Sequence, residues 1–112
     1  RGDGARVECR IPGADANPYL AFAATIAAGL DGVARGLEPP PRFDGDAYSA
    51  TDLPRIPSTI VEAIDAFAAS QLARDAFGPL VHAHLLNTAR QEWAAFGNVV
   101  TDWERRRGFV QY

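Results

Sequence analysis

The sequence predicts an α+β fold that is mostly helical and carries a single N-terminal strand. Three observations lead there. Residues 6–11 alternate strictly between charged and apolar side chains, the period-two signature of a strand. Later stretches are apolar throughout, or repeat apolar residues every three or four positions, as helices do. Capping residues, glycines and prolines bound those stretches, and these are helix start and stop signals.

The strand is expected over about 5–11, after a turn-like opening at Gly2, Asp3 and Gly4. Alternation places Arg6, Glu8 and Arg10 on one face and Val7, Cys9 and Ile11 on a core-facing side. A lone strand leaves its backbone donors and acceptors unpaired. The segment therefore either borrows a sheet or belongs to one formed by further polypeptide. Pro12 and Gly13 end it.

A helix is expected over about 18–35. Asp15 or Asn17 can cap it, Pro18 suits its first turn and Gly36 can end it. Between Tyr19 and Leu30 only Thr25 is clearly polar, which predicts a helix buried on most sides. Residues 36–57 form a long connection holding Pro39, Pro40, Pro41, Pro54 and Pro57. Repeated proline excludes helix, and a connection of this length is usually functional or lies across another surface.

The next helix is expected over about 59–69. Thr59 and Glu62 have capping-box spacing, and Ile60, Ile64 and Phe67 make an apolar stripe. Ser70 can cap a short helix over 71–77, and Gly78-Pro79 punctuates the chain. A longer helix over 80–96 carries Val81, Leu85, Ala89, Trp93 and Phe96 as its stripe, before Gly97-Asn98 stops it. After an extended piece at Val99-Val100-Thr101, Asp102 can cap a last helix over 102–107, and Gly108 to Tyr112 is a tail. There is no internal repeat.

Composition narrows the function. The 112 residues carry a net charge of −3 with a pI near 5.2. A mildly acidic chain argues against a nucleic-acid binder and against a polybasic membrane anchor. No apolar run reaches the roughly 20 residues of a bilayer span. Cys9 is the single cysteine, which excludes an internal disulfide framework and a thiolate-rich zinc site. All eleven cations are arginine, and 21 residues are alanine; both read as compositional bias. The absence of methionine implies that Arg1 lies inside a longer polypeptide.

Four places could carry chemistry. Side chains two apart on a strand stand about 7 Å apart on one face, so Arg6, Glu8 and Arg10 would set a carboxylate between two guanidiniums. Arginine binds phosphate and carboxylate bidentately, and a carboxylate can hold Mg²⁺ or Mn²⁺. The bland alternative is an exposed strand face with cross-charge pairing. Asp15 and Asn17 are accounted for by capping. His82 and His84, two apart on a helix, point about 200° apart and cannot share one metal; each reads as a surface or packing histidine. Arg105, Arg106 and Arg107 read as a solvated helix end, and Cys9 as inert.

The order of residues says more than their spacing. Arg6-Val7-Glu8-Cys9-Arg10-Ile11-Pro12-Gly13-Ala14-Asp15-Ala16-Asn17-Pro18-Tyr19-Leu20-Ala21-Phe22-Ala23-Ala24 closely resembles the C-terminal catalytic segment of glutamine synthetases. In that family an R-x-E-x-R strand leads through P-x-x-x-x-N-P-Y-L into an alanine-rich helix. The resemblance continues through Leu53-Pro54 to Ser58, Glu62-Ala63, Gly78 to His84, Glu92 and Val100-Thr101-Asp102-Trp103-Glu104. It covers nearly the whole chain. Leu85 stands where many relatives have an aromatic residue. The prolines and Gly45-Asp46-Ala47-Tyr48 look more like the amine-accepting relatives than the ammonia-specific enzymes.

The resemblance implies that residues 1–112 are the C-terminal part of a glutamine synthetase-like catalytic domain, the strand belonging to its antiparallel catalytic sheet. It implies an ATP-dependent glutamate–ammonia or glutamate–amine ligase of nitrogen metabolism, working through a γ-glutamyl phosphate in the cytoplasm. Mg²⁺ or Mn²⁺ is the implied metal, ATP the co-substrate, and a ring-shaped homo-oligomer the implied assembly. By motif, Glu8 matches a metal-ligating carboxylate and Arg6 an arginine near the nucleotide phosphates. Arg10 matches a catalytic, substrate-binding arginine that contacts glutamate or the phosphoryl group in transfer. The other metal ligands and the nucleotide pocket would come from an N-terminal part of the same protein, so this chain alone would be inactive. Two alternatives are a catalytically dead homologue with a structural or assembly role, and a stand-alone helical interaction module.

Overall fold

The computed structural model of the protein describes residue 4 and residues 6–111. Four helices follow one another in the chain: α1 Pro18–Ala34, α2 Ile60–Ala69, α3 Gln71–Phe96 and α4 Asp102–Gln111. They fall into two compact units, the described parts of Arg1–Ile56 and of Pro57–Tyr112. None of the helices is long and apolar enough to cross a membrane.

The N-terminal strand is not there. Among the described residues no strand forms, and residues 6–11 carry no regular structure and are exposed throughout; residue 5, where the strand was expected to begin, lies outside the described residues. The fold described is helical, not α+β. Alternation creates two chemically distinct faces, but a strand exists only when its N–H and C=O groups pair with a neighbour. No neighbouring strand is present, so the apolar side has nothing to cover it: Val7 is 90% and Ile11 66% exposed, and Cys9 is exposed as well.

In the first unit α1 begins where Asn17 turns the chain. Asn17 Oδ1 accepts the N–H groups of Tyr19 at 3.0 Å and Leu20 at 3.3 Å, two donors that a helix start leaves unpaired. Asn17, not Asp15, is the cap, and Pro18 occupies the first turn. The one polar residue of the apolar stretch, Thr25, turns its hydroxyl back to the Ala21 carbonyl at 2.8 Å, so it presents no unpaired polar group. The helix ends at Gly36, with φ of 60°. There Leu37 N–H donates to Gly32 O at 2.9 Å and Gly36 N–H to Val33 O at 3.1 Å. This paired closure needs a left-handed residue, which glycine adopts at low cost. Although α1 is apolar nearly all round, it has no buried residue; its expected burial is absent here.

In the second unit α2 and α3 pack together around Ile64 and His82, the two buried residues among those described. Ser70 ends α2 and caps α3, its hydroxyl accepting Ala73 N–H at 3.1 Å. Gly78, at φ 75° and ψ 158°, breaks α3 with a kink, and Pro79 follows it. That conformation is nearly exclusive to glycine, and proline cannot bridge the break with an N–H. Two helical segments therefore meet at the Gly78-Pro79 punctuation. The kink brings His82 back onto α2. Its ring stacks on Phe67 at 4.6 Å between centroids, and Nε2–H donates to the Phe67 carbonyl at 2.9 Å. A carbonyl only accepts, so Nε2 carries the proton. Arg74 donates to the Ala68 carbonyl, so α2's terminal acceptors are met by α3. His82 is thus a packing residue, while His84 is exposed.

Helix α4 starts one residue earlier in its capping than Asp102 suggested. Thr101 Oγ1 accepts Glu104 N–H at 3.2 Å, and Glu104 Oε2 accepts Thr101 N–H at 2.8 Å. The helix continues through the expected tail to Gln111, aided by Arg107 lying 5.1 Å from the Trp103 ring centre and bonding Gln111 at 3.2 Å.

Candidate functional site

The N-terminal motif sits immediately before α1. Pro12 and Gly13 turn the chain into the Asn17 cap, with Ala16 N–H donating to Gly13 O at 3.1 Å. The rigid helix start thus fixes where the motif leaves the chain.

Within the motif, Arg10 and Glu8 are brought together. Arg10 Nε donates to Glu8 Oε1 at 2.6 Å. Arg6, Glu8 and Arg10 are all exposed. Glu8 holds the Arg10 guanidinium more firmly in its charged form, raising its pKa, with smaller contributions from Tyr48. The pair is charge-assisted but solvated, so solvent and salt screen it.

Glu8 presents one bond to Arg10 and keeps Oε2 and further lone pairs on the carboxylate. Hard oxygen donors of this kind suit Mg²⁺ or Mn²⁺. One carboxylate is a single ligand, however. Among the described residues no cluster of three or more His, Cys, Asp or Glu could hold a metal ion. As an oxygen donor Glu8 fits one position around such a cation and could not hold the ion by itself.

The connection 36–57 carries a second local structure. Asp46 Oδ1 accepts Tyr48 N–H at 3.0 Å. Ser49 donates its hydroxyl to Asp46 Oδ2 and its N–H to the Asp46 carbonyl at 3.2 Å. These donors, the Ser49 hydroxyl first, hold the Asp46 carboxyl below its ordinary pKa. The turn fixes the backbone of Tyr48. The available signal is Asp46 followed three residues later by Ser49, an Asx-turn pattern inside a proline-rich segment.

The family model described as the glutamine synthetase catalytic domain matches residues 1–108. The chain is 49% identical over 108 residues to a gamma-glutamylethanolamide synthetase from Streptomyces coelicolor, covering 96% of this chain and 23% of that protein. It is 37% identical over 119 aligned positions to the glutamine synthetase of Thermus thermophilus, covering 100% of this chain and 27% of that protein. A third relative, the glutamine synthetase of Thermotoga maritima, is 33% identical over 114 aligned positions, with 96% of this chain and 26% of that protein covered. The chain therefore spans about a quarter of the length of these curated relatives. With a family match over nearly its whole length, the chain belongs to the glutamine synthetase catalytic-domain family.

Proposed function

We propose that this chain is the C-terminal segment of an ATP-dependent ligase that joins glutamate to ammonia or an amine, and that it is inactive alone. The observation that carries this reading is the family match over residues 1–108, together with an intact Arg6, Glu8 and Arg10. The γ-phosphoryl group of ATP passes to the glutamate γ-carboxylate, releasing ADP. The amine nitrogen then attacks the activated carbonyl carbon, phosphate leaves, and the nitrogen loses a proton.

The residues divide this work by their chemistry. Glu8 supplies one oxygen ligand to Mg²⁺ or Mn²⁺, which neutralises phosphate charge when bound. Arg6 pairs with nucleotide phosphate oxygens through its planar fork of donors. Arg10 holds the glutamate carboxylate or the equatorial oxygens of the group in transfer, where fixed positive charge lowers the barrier. The remaining ligands come from the rest of the polypeptide, in a cytoplasmic homo-oligomer. Because the Streptomyces coelicolor relative is a gamma-glutamylethanolamide synthetase, ethanolamine is the first amine to assay beside ammonia.

The test is Glu8→Ala in the full-length protein. Turnover is expected to fall by at least about 100-fold, with Mn²⁺ affinity by titration weakened by about tenfold or more. Near-normal turnover and affinity would remove the assignment.

A further inference from the structure

Glu8 is read above as a metal ligand, yet the bond the structure gives it goes to a guanidinium. Its Oε1 accepts the Arg10 Nε–H at 2.6 Å. That is a short, charge-assisted hydrogen bond, and it needs no cation.

The choice of donor matters. A guanidinium is planar and rigid, with Nε–H on its side and the two Nη groups at its far end. A carboxylate bound through Nε fixes that plane. It takes up neither Nη group, and the Nη fork is what grips a second carboxylate or a phosphate bidentately. The Arg10 side chain is 73% exposed, so an anion can reach the fork.

The pairing is built into the motif. Side chains two apart in an extended chain share one face, about 7 Å apart, a gap that the length of arginine spans. The same pair therefore holds if residues 6–11 join a sheet with further polypeptide. As a solvated ion pair it contributes little to stability. Ordering an exposed arginine is a different task. Arginine has much rotamer freedom to lose when it binds an anion, and a partner that orders it beforehand reduces that loss.

We propose that Glu8 is also a positioning residue, holding the Arg10 guanidinium by Nε so that its Nη fork meets the carboxylate of the glutamate substrate. The inference rests on the reading of Arg10 as substrate-binding. It is separate from metal ligation and operates with the cation absent.

The experiment is calorimetric titration of L-glutamate into the full-length protein, stripped of metal with EDTA and free of nucleotide. The variants are Glu8→Gln and Glu8→Ala, each with Arg10 intact and with Arg10→Ala. Both changes at Glu8 remove the same charge, but only Gln keeps an oxygen for the Nε–H. Glu8→Ala is expected to bind glutamate about two- to tenfold more weakly than Glu8→Gln. With Arg10→Ala the two are expected to bind alike. Equal affinities with Arg10 intact overturn the positioning role and leave the roles proposed for Arg10 and for the metal standing. A difference that persists without Arg10 also overturns it, and so does a metal-stripped wild type that binds no glutamate. Should Arg10→Ala alone leave glutamate affinity unchanged, the underlying reading of Arg10 fails and this inference with it.

Discussion

At the scale of single residues, small polar side chains decide where this chain changes direction. Asn17 satisfies two N–H groups at the start of α1. Asn17→Ala leaves both unpaired and should destabilise the first unit by about 1 kcal/mol, read as earlier loss of ellipticity in a urea melt. No change in midpoint would show that the cap contributes nothing. Glu8 and Arg10 behave differently. Their 2.6 Å pair lies in solvent with side chains 58% and 73% exposed, so it contributes little to stability. The roles proposed for Arg6, Glu8 and Arg10 come from residue type and order, which the sequence carries directly.

At the scale of elements, helix termini were the most legible feature. Thr59 with Glu62 forms the reciprocal capping box its spacing suggested, and Asn17-Pro18 and Gly36 bound α1. Each depends on contacts within a few residues, which sequence order fixes. The strand expected over 5–11 does not form over the described residues 6–11, because a strand requires a second strand that local pattern cannot supply. The same reason explains the exposed Cys9. Helix α4 outran its expected end because Trp103, Arg107 and Gln111 support one another along the helix, while Gly108 lacks any following stop signal.

Two element-scale predictions follow from these contacts. Gly78 holds φ 75°, a conformation that strains any residue bearing a Cβ; Gly78→Ala should cost about 1–3 kcal/mol, seen as a lowered melting temperature of the α2–α3 pair. An unchanged melt would mean that the kink is not required. Acid should also loosen α2 and α4. Glu62 is held below its ordinary 4.5 first by Ser58 N–H, and Glu104 is lowered first by Thr101 N–H. A carboxyl with a depressed folded pKa contributes stability that is fully present above its unfolded value and lost as pH falls through the folded one. Helical ellipticity should therefore decline below about 4.5 in the wild type. The decline should be smaller in Glu62→Ala/Glu104→Ala, where that contribution is already gone. Equal declines would assign the acid transition to other groups.

At the scale of the whole molecule, the chemistry and the covering of apolar surface point the same way. Helix α1 leaves Tyr19 at 82%, Phe22 at 67% and Val33 at 81% exposure. Continuous apolar surface of this kind ordinarily meets a partner. The curated relatives are about four times as long as the stretch they share with this chain. Among the described residues no group of three or more His, Cys, Asp or Glu side chains could hold a metal ion, so the ligand proposed at Glu8 would need others from outside them. Under the proposed function, this segment acts only together with the rest of its domain. The decisive measurement is phosphate release from ATP, with glutamate, Mg²⁺ and ammonia or an amine, by the full-length protein and by this chain alone. Release coupled to γ-glutamyl product is expected from the full-length protein, and none above background from the chain. Sustained release by the chain alone, or a folded full-length protein that forms no γ-glutamyl product with any acceptor, would contradict it.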